Sequence, residues 1–284
     1  MNDDHVKASK RHLLQMSAPE RIRAIQQDVW IDCPQSIQIL NMIKNIVQAP
    51  SQSLAPCMLV CGEGGSGKSS IIRQLKLISK DWEEQIIFMA LNENPGNLSF
   101  RDHLLEAMGI PRSARSRLKP NVPEELAEFV KLRKVRAIVI DEFHDALISN
   151  RSEQLKILSI LKGLSGEPYS LSVIGFGTSL ARNALLHDTQ LSRRYHIHEI
   201  QKWTKSENFR EFLAALEENI PLLKPSMLYG ADKVKFILTN SGGVTDNIVK
   251  MIKYGAILAV SRGEEEVSIK SMQEAILNPW AYKC

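Results

Sequence analysis

Two patterns of apolar and polar positions run along this chain, and one gives way to the other near residue 204. Before that point, short unbroken apolar runs alternate with stretches in which apolar residues recur at helical spacing. Cys57-Met58-Leu59-Val60-Cys61, residues 86–91, Ala137-Ile138-Val139-Ile140 and residues 171–176 read as buried strands. Helices are expected from Lys68 to about residue 80 and around Phe100, Leu104, Leu105 and Met108. Two more are expected from Pro123 to about residue 134, with proline in the first turn, and over 152–164. Residues 92–97 read as a polar loop. Continuous apolar strands alternating with helices predict an α/β fold with a parallel sheet covered on both faces. Beyond residue 204 the segments 205–219, 231–240, 245–261 and 268–277 all carry the helical period, so a small helical C-terminal subdomain is expected.

The first fifty-odd residues fit neither pattern. Residues 1–16 read as a frayed basic arm. Ser17-Ala18-Pro19-Glu20 is a capping box that should start a helix running to about Val29, which Trp30-Ile31-Asp32-Cys33-Pro34 breaks. A second helix follows from the spacing of Ile37, Leu40, Ile43, Ile46 and Val47, and residues 49–56 read as a linker. The expected division is an N-terminal helical extension and linker over 1–55, an α/β core over 56–203, and a helical subdomain with a tail over 204–284.

The strongest chemical signal sits where the first strand ends. Gly62-Glu63-Gly64-Gly65-Ser66-Gly67-Lys68-Ser69, followed by Ser70, fits the phosphate-loop pattern G-x-x-x-x-G-K-[ST], between an apolar strand and an amphipathic helix. Glycines allow a tight turn whose N–H groups point at phosphate oxygens, and the helix adds its positive end. Lys68 would reach the β- and γ-phosphates of ATP, and Ser69 would give an oxygen to Mg²⁺. Ile138-Val139-Ile140-Asp141-Glu142 is the second nucleotide signal: Asp141 stands at the carboxyl edge of the sheet beside the metal, and Glu142 can polarise the attacking water. In Gly175-Phe176-Gly177-Thr178, Thr178 either touches the γ-phosphate or caps the next helix. Arg193 and Arg194 either supply positive charge to a neighbouring subunit's site or form a solvated basic pair.

Composition narrows the partners. With 44% hydrophobic and 24% charged residues the chain is an ordinary globular one. No apolar run approaches the ~18 residues of a membrane helix. Met1-Asn2-Asp3-Asp4-His5 is not a secretory signal, so a cytoplasmic protein with no membrane partner is expected. Cys57 and Cys61, about 13 Å apart on one strand, are too far for a disulfide, and His196-x-His198 reads as an alternating strand face. The net charge is only +4, but Arg112, Arg115, Arg117 and Lys119 sit in an acid-free stretch over 111–119. That stretch suits sequence-independent phosphate contacts on DNA, or is an exposed loop with no partner.

In order and content these motifs resemble the TniB family, relatives of the TnsC ATPases that regulate DNA transposition. The resemblance rests on Asp28-x-Trp30-Ile31-x-x-Pro34, the phosphate loop, Ile140-Asp141-Glu142-Phe143-His144 and Gly175-Phe176-Gly177-Thr178. It continues through Asp188-x-Gln190-Leu191-x-x-Arg194-Tyr195, Leu213-x-x-Leu216-Glu217 and Pro221-Leu222-x-x-Pro225-Ser226. It implies an AAA+ P-loop NTPase fold with a helical lid and Mg²⁺-dependent ATP hydrolysis. It also implies assembly of the chain with itself as a ring or filament on double-stranded DNA, and recruitment of a DDE-type transposase with a target-selection adaptor. Under it Thr178 falls at the sensor position and Arg194 at the arginine finger, with Arg193 beside it. Gly242-Gly243-Val244-Thr245-Asp246-Asn247 departs from the AAA+ pattern in having no lid arginine. The rival expectations are a helicase-loader or defence-type ATPase, and a nucleotide-dependent scaffold with little turnover.

Overall fold

The computed structural model describes residues 3–91, 98–110, 124–147, 151–186, 188–280 and 282. Residues 112, 115, 117 and 119, the basic stretch expected to meet DNA, lie outside the described residues, as does the loop at 92–97. Two compact units divide the chain. One gathers Met1–Pro34, Gly65–Gly67 and Gln201–Cys284; the other gathers Gln35–Gly64 and Lys68–Ile200.

The second unit is built on five parallel strands: β1 (Cys57–Cys61), β2 (Gln85–Ala90), β3 (Val135–Asp141), β4 (Ser172–Gly177) and β5 (Tyr195–Glu199). Their order across the sheet is β2-β3-β4-β1-β5. The burial of each strand follows from its place. Central β1 and β4 are buried at every position, which is why their sequences are unbroken apolar runs. Edge strand β5 reads Tyr-His-Ile-His-Glu, with Tyr195 buried and His196 exposed. Alternating with the strands are α3 (Lys68–Ile78), α4 (Phe100–Ala107), α5 (Glu124–Leu132), α6 (Phe143–Leu147), α7 (Arg151–Leu164), α8 (Ser179–Leu186) and α9 (Thr189–Ser192). The short helices α6 and α9 carry too few residues to show a period in sequence, whereas α8 follows Thr178 where a helix start was one of the two expectations.

Helix α2 (Pro34–Gln48) precedes β1 and lies almost wholly in this unit. It buries Ser36, Ile39, Leu40, Ile43 and Val47, while Ile37, expected on the inner face, is 41% exposed. The buried stripe therefore starts one residue earlier than expected, a rotation of about 100° at its start. The linker beyond it is tied down: Ala55 donates its N–H to Ser165 O at 2.8 Å, and Leu54 bridges Gly166.

In the first unit α1 (Ala18–Gln26) joins α10 (Glu207–Glu217), α11 (Ala231–Ser241), α12 (Thr245–Arg262) and α13 (Ile269–Leu277) around a core that includes Ile22, Ile25, Phe209, Leu213, Ile252 and Met272. The capping box forms, with Ser17 N–H donating to Glu20 Oε2 at 2.9 Å. The helix ends at Gln26 because Gln27 is already extended.

One expectation is corrected here: residues 3–16 are not a frayed arm. Residues Ala8–Gln15 form a 3₁₀ helix, Val6 is 1% exposed, and Lys7 N–H donates to Glu218 O at 2.9 Å. His5 Nε2 lies 2.8 Å from Leu222 O. These partners are more than two hundred residues away in sequence, and a single apolar residue anchors the segment, so no local pattern announces it.

Candidate nucleotide site

Parallel strands present all their carboxyl ends at one edge, and ligands of such sheets bind there. The strand order decides which residues meet. Cys61 pairs in register with Gly177, and Ile140 with Gly175, so the end of β4 stands between the ends of β1 and β3. Three sequence-distant signals therefore converge: the phosphate loop after β1, Thr178 after β4, and Asp141-Glu142 at the end of β3. Gly62 N–H donates to Gly177 O at 3.0 Å, joining the first two directly.

In the loop, Gly65 and Gly67 hold φ of +77° and +98°, conformations that a side chain strains. Helix α3 begins at Lys68, which leaves the N–H groups of its first turn, at Ser69 and Ser70, without partners in the helix. Lys68 is buried and donates through Nζ to the carbonyls of Gly62 at 2.8 Å and Glu63 at 3.0 Å. Burial pushes its ammonium below the ordinary lysine value, while the carboxylates of Glu142 and Asp141 pull the other way. That field is the electrostatic signature of a lysine set opposite two acids. Ser69 and Ser70 are exposed.

Glu142 has φ of +52°, a left-handed conformation unfavourable for a residue with a Cβ, and its N–H donates to Asp141 Oδ1 at 2.9 Å. The turn thus sends successive carboxylates in different directions. Glu142 Oε2 lies 3.2 Å from His144 Nδ1. The helix-cap alternative for Thr178 has no support, because Thr178 Oγ1 is buried and makes no hydrogen bond. Ser66 Oγ is buried and unpaired in the same way. An orphaned buried hydroxyl at the end of a central strand, at Thr178, fits a polar ligand such as a triphosphate with Mg²⁺.

The two arginines differ. Arg194 Nη1 donates to Lys162 O at 3.0 Å and to Ser165 Oγ at 2.8 Å, so its guanidinium is engaged within its own protomer. Arg193 is exposed. In the preceding turn the Asp188 carboxylate accepts from Gln190 N–H, Leu191 N–H and Lys162 Nζ. The sequence reading gave no role to His144 beyond the family pattern, nor to Ser165, and no local signal marks either.

The family model described as bacterial TniB protein matches residues 21–205, most of the chain. The chain belongs to the TniB family. No curated protein matches it by sequence. Among solved structures it is similar to Cdc6p from Pyrobaculum aerophilum, at 15% identity and a TM-score of 0.61, over 89% of this chain and 69% of that one. It is also similar to the Aeropyrum pernix ORC1 protein in complex with DNA, at 18% identity and a TM-score of 0.61, over 90% and 68%. The Thermotoga maritima RuvB Holliday junction branch migration motor matches at 13% identity and a TM-score of 0.52, over 89% and 72%. The fold is that of the AAA+ P-loop ATPases.

Proposed function

We propose that this TniB protein hydrolyses ATP and uses its nucleotide state to assemble on duplex DNA and license a transposase. The observation that carries the proposal is the convergence at one sheet edge of a buried lysine, two consecutive acids and an unpaired buried hydroxyl. In this reading the loop N–H groups of residues 63–67 and Lys68 hold the phosphates of ATP, with Gly62 fixing the start of the loop through its bond to Gly177. Ser69 and Asp141 would hold Mg²⁺, which would supply positive charge to the phosphate oxygens. Glu142 orients a water and takes its proton as the water oxygen attacks the γ-phosphorus, and ADP leaves. Thr178 donates to the γ-phosphate or to that water. No helix among the described residues is long and apolar enough to cross a membrane.

The assembly half of the proposal rests on family membership and on charge. The arginines near residue 194 would complete a neighbouring subunit's site, and the exposed Arg193 is the better placed to do so. Arg112, Arg115, Arg117 and Lys119 would meet the DNA backbone without reading sequence. A DDE-type transposase and a target-selection adaptor are the proposed protein partners.

Two variants test the chemistry. Lys68→Ala should lose ATP binding, because a charge-assisted phosphate contact goes. Glu142→Gln should keep ATP binding and lose turnover, because only the proton acceptor changes. Binding by a fluorescent ATP analogue and phosphate release measure the two separately. Parental turnover in Glu142→Gln would remove Glu142 as the base.

A further inference from the structure

His144 follows the catalytic turn at the start of α6, and its ring has acids at both ends. Nδ1 lies 3.2 Å from Glu142 Oε2, and Nε2 lies 3.6 Å from Asp145 Oδ1. The Nδ1 atom is buried and makes no aligned hydrogen bond, so a polar atom there faces one carboxylate at close range with its bonding capacity unspent. The floor under the ring is fixed. A Cβ placed at Gly177 would come within 3.3 Å of His144 N and 3.7 Å of Nδ1, so the ring lies against the end of β4. Phe143, between the two residues, is fully buried and pins the turn from below. Glu142 is also the foremost charge acting on Lys68, so the carboxylate beside His144 remains on the phosphate side of the site.

We propose that His144 is a positioning residue for Glu142: its Nδ1–H donates to the carboxylate and keeps the proton acceptor aimed at the water. This rests on the reading of Glu142 as the base. A carboxylate can only accept, so the imidazole must be the donor in this pair. Glu142 has three rotatable bonds between its left-handed backbone and its carboxylate oxygens, and among the described residues its side chain has no other ion pair or hydrogen bond. Without His144 the carboxylate explores several rotamers, and only some of them reach the water.

The test compares three substitutions with Glu142→Gln alongside. His144→Ala should lower kcat about tenfold, of the order expected when a reacting group is slightly misplaced, and leave the affinity for ATP unchanged. His144→Asn, whose side-chain amide nitrogen stands where Nδ1 stood, should recover most of the rate. His144→Gln, whose amide reaches the Nε2 position, should not. A residue needed only for packing would respond to size, and then Gln and Asn would behave alike. A readout independent of turnover is the ¹⁵N resonance of His144, which should move in Glu142→Gln more than that of any other histidine. Unchanged or raised kcat in His144→Ala, with Glu142→Gln inactive, would overturn this inference and leave the base in place. Full activity in Glu142→Gln would overturn both. Equal rates for Asn and Gln, or a silent His144 resonance, would also overturn it.

Discussion

A single glycine illustrates how far residue identity constrains the site. Gly175 lies in β4, where a Cβ would meet Phe143 Cδ1 at 2.4 Å, well inside any tolerable contact. Phe143 sits directly after Glu142 and is fully buried, stacked near Tyr195 with ring centroids 6.4 Å apart. Gly175→Ala should therefore push Phe143 off its seat, at about 1–3 kcal/mol as an overpacked core site. Because Phe143 anchors the turn, turnover should fall further than ATP binding. Urea unfolding and a comparison of kcat with ATP affinity check the two parts, and an alanine variant with parental stability would show that Phe143 can yield. The residues of the site were legible to different degrees. As candidates, Lys68, Asp141 and Glu142 stand out because phosphoryl transfer would demand those types at those spacings. Gly175 was visible as part of a motif, but its reason was not, since the ring it accommodates is thirty-odd residues upstream. The engaged state of Arg194 was equally hidden, because its partners Lys162 and Ser165 carry no pattern.

Among elements, the helical segments beyond residue 204 were read nearly to the residue, because long amphipathic helices carry their period in sequence. What the sequence concealed was how they are tied. Glu217 at the end of α10 accepts the N–H groups of Ser226, Met227 and Leu228 at 2.6, 2.9 and 2.8 Å, and Ser226 Oγ accepts from Val267 N–H at 2.9 Å. Two stretches that carry the family resemblance, ending in Glu217 and Ser226, thus form a clamp on a loop. The second tie joins α1 to the turn after α12: Arg21 reaches Glu265 through two bonds of 2.6 Å each, both side chains almost buried. Burial alone would raise the Glu265 carboxyl. The bonds from Arg21 and Leu223 N–H, and the Arg21 charge, outweigh it and hold it below the ordinary glutamate value. A group depressed in this way stabilises the fold above its unfolded value, and the contribution is lost as pH falls through the folded one. The stability of this unit should therefore drop below about pH 4. Arg21→Ala should cost about 3–5 kcal/mol by stranding a buried carboxylate, whereas Arg21→Met with Glu265→Leu should be near neutral. Thermal unfolding at about pH 6 and about pH 3.5 distinguishes them: the gap between the parent and the double variant should shift in favour of the double variant in acid. An identical gap at both values would mean that the pair is not what acid disrupts.

For the whole molecule the decisive question is whether one chain holds a complete site. Within its own protomer the γ-phosphate side of the candidate site offers Lys68, and among the described residues Arg194 is spent on Lys162 and Ser165. Phosphoryl transfer by this class of fold needs a further cation, and one supplied by a neighbour can be worth ~10³-fold or more. Arg193 is exposed, two residues before buried Tyr195, and is the arginine of the pair without a bond to its own chain among the described residues. The expected behaviour separates the two. Arg193→Ala should fold normally, bind ATP normally and hydrolyse it poorly only under conditions of assembly. Arg194→Ala should lower stability as well, since the hydroxyl of buried Ser165 loses its donor and the Lys162 carbonyl loses one of its two. Mixing then tests the shared site. Glu142→Gln and Arg193→Ala are each expected to be inactive alone. In an equal mixture that assembles at random, about one junction in four pairs an intact Glu142 with an intact neighbouring Arg193, so about a quarter of the parental rate should return. Repeating the mixture with Arg194→Ala in place of Arg193→Ala assigns the role, because the variant that complements is the one lacking the trans cation. Recovery with neither, in mixtures whose co-assembly is verified by sedimentation, would mean that each protomer hydrolyses ATP with its own residues, and that assembly changes something other than the completeness of the site.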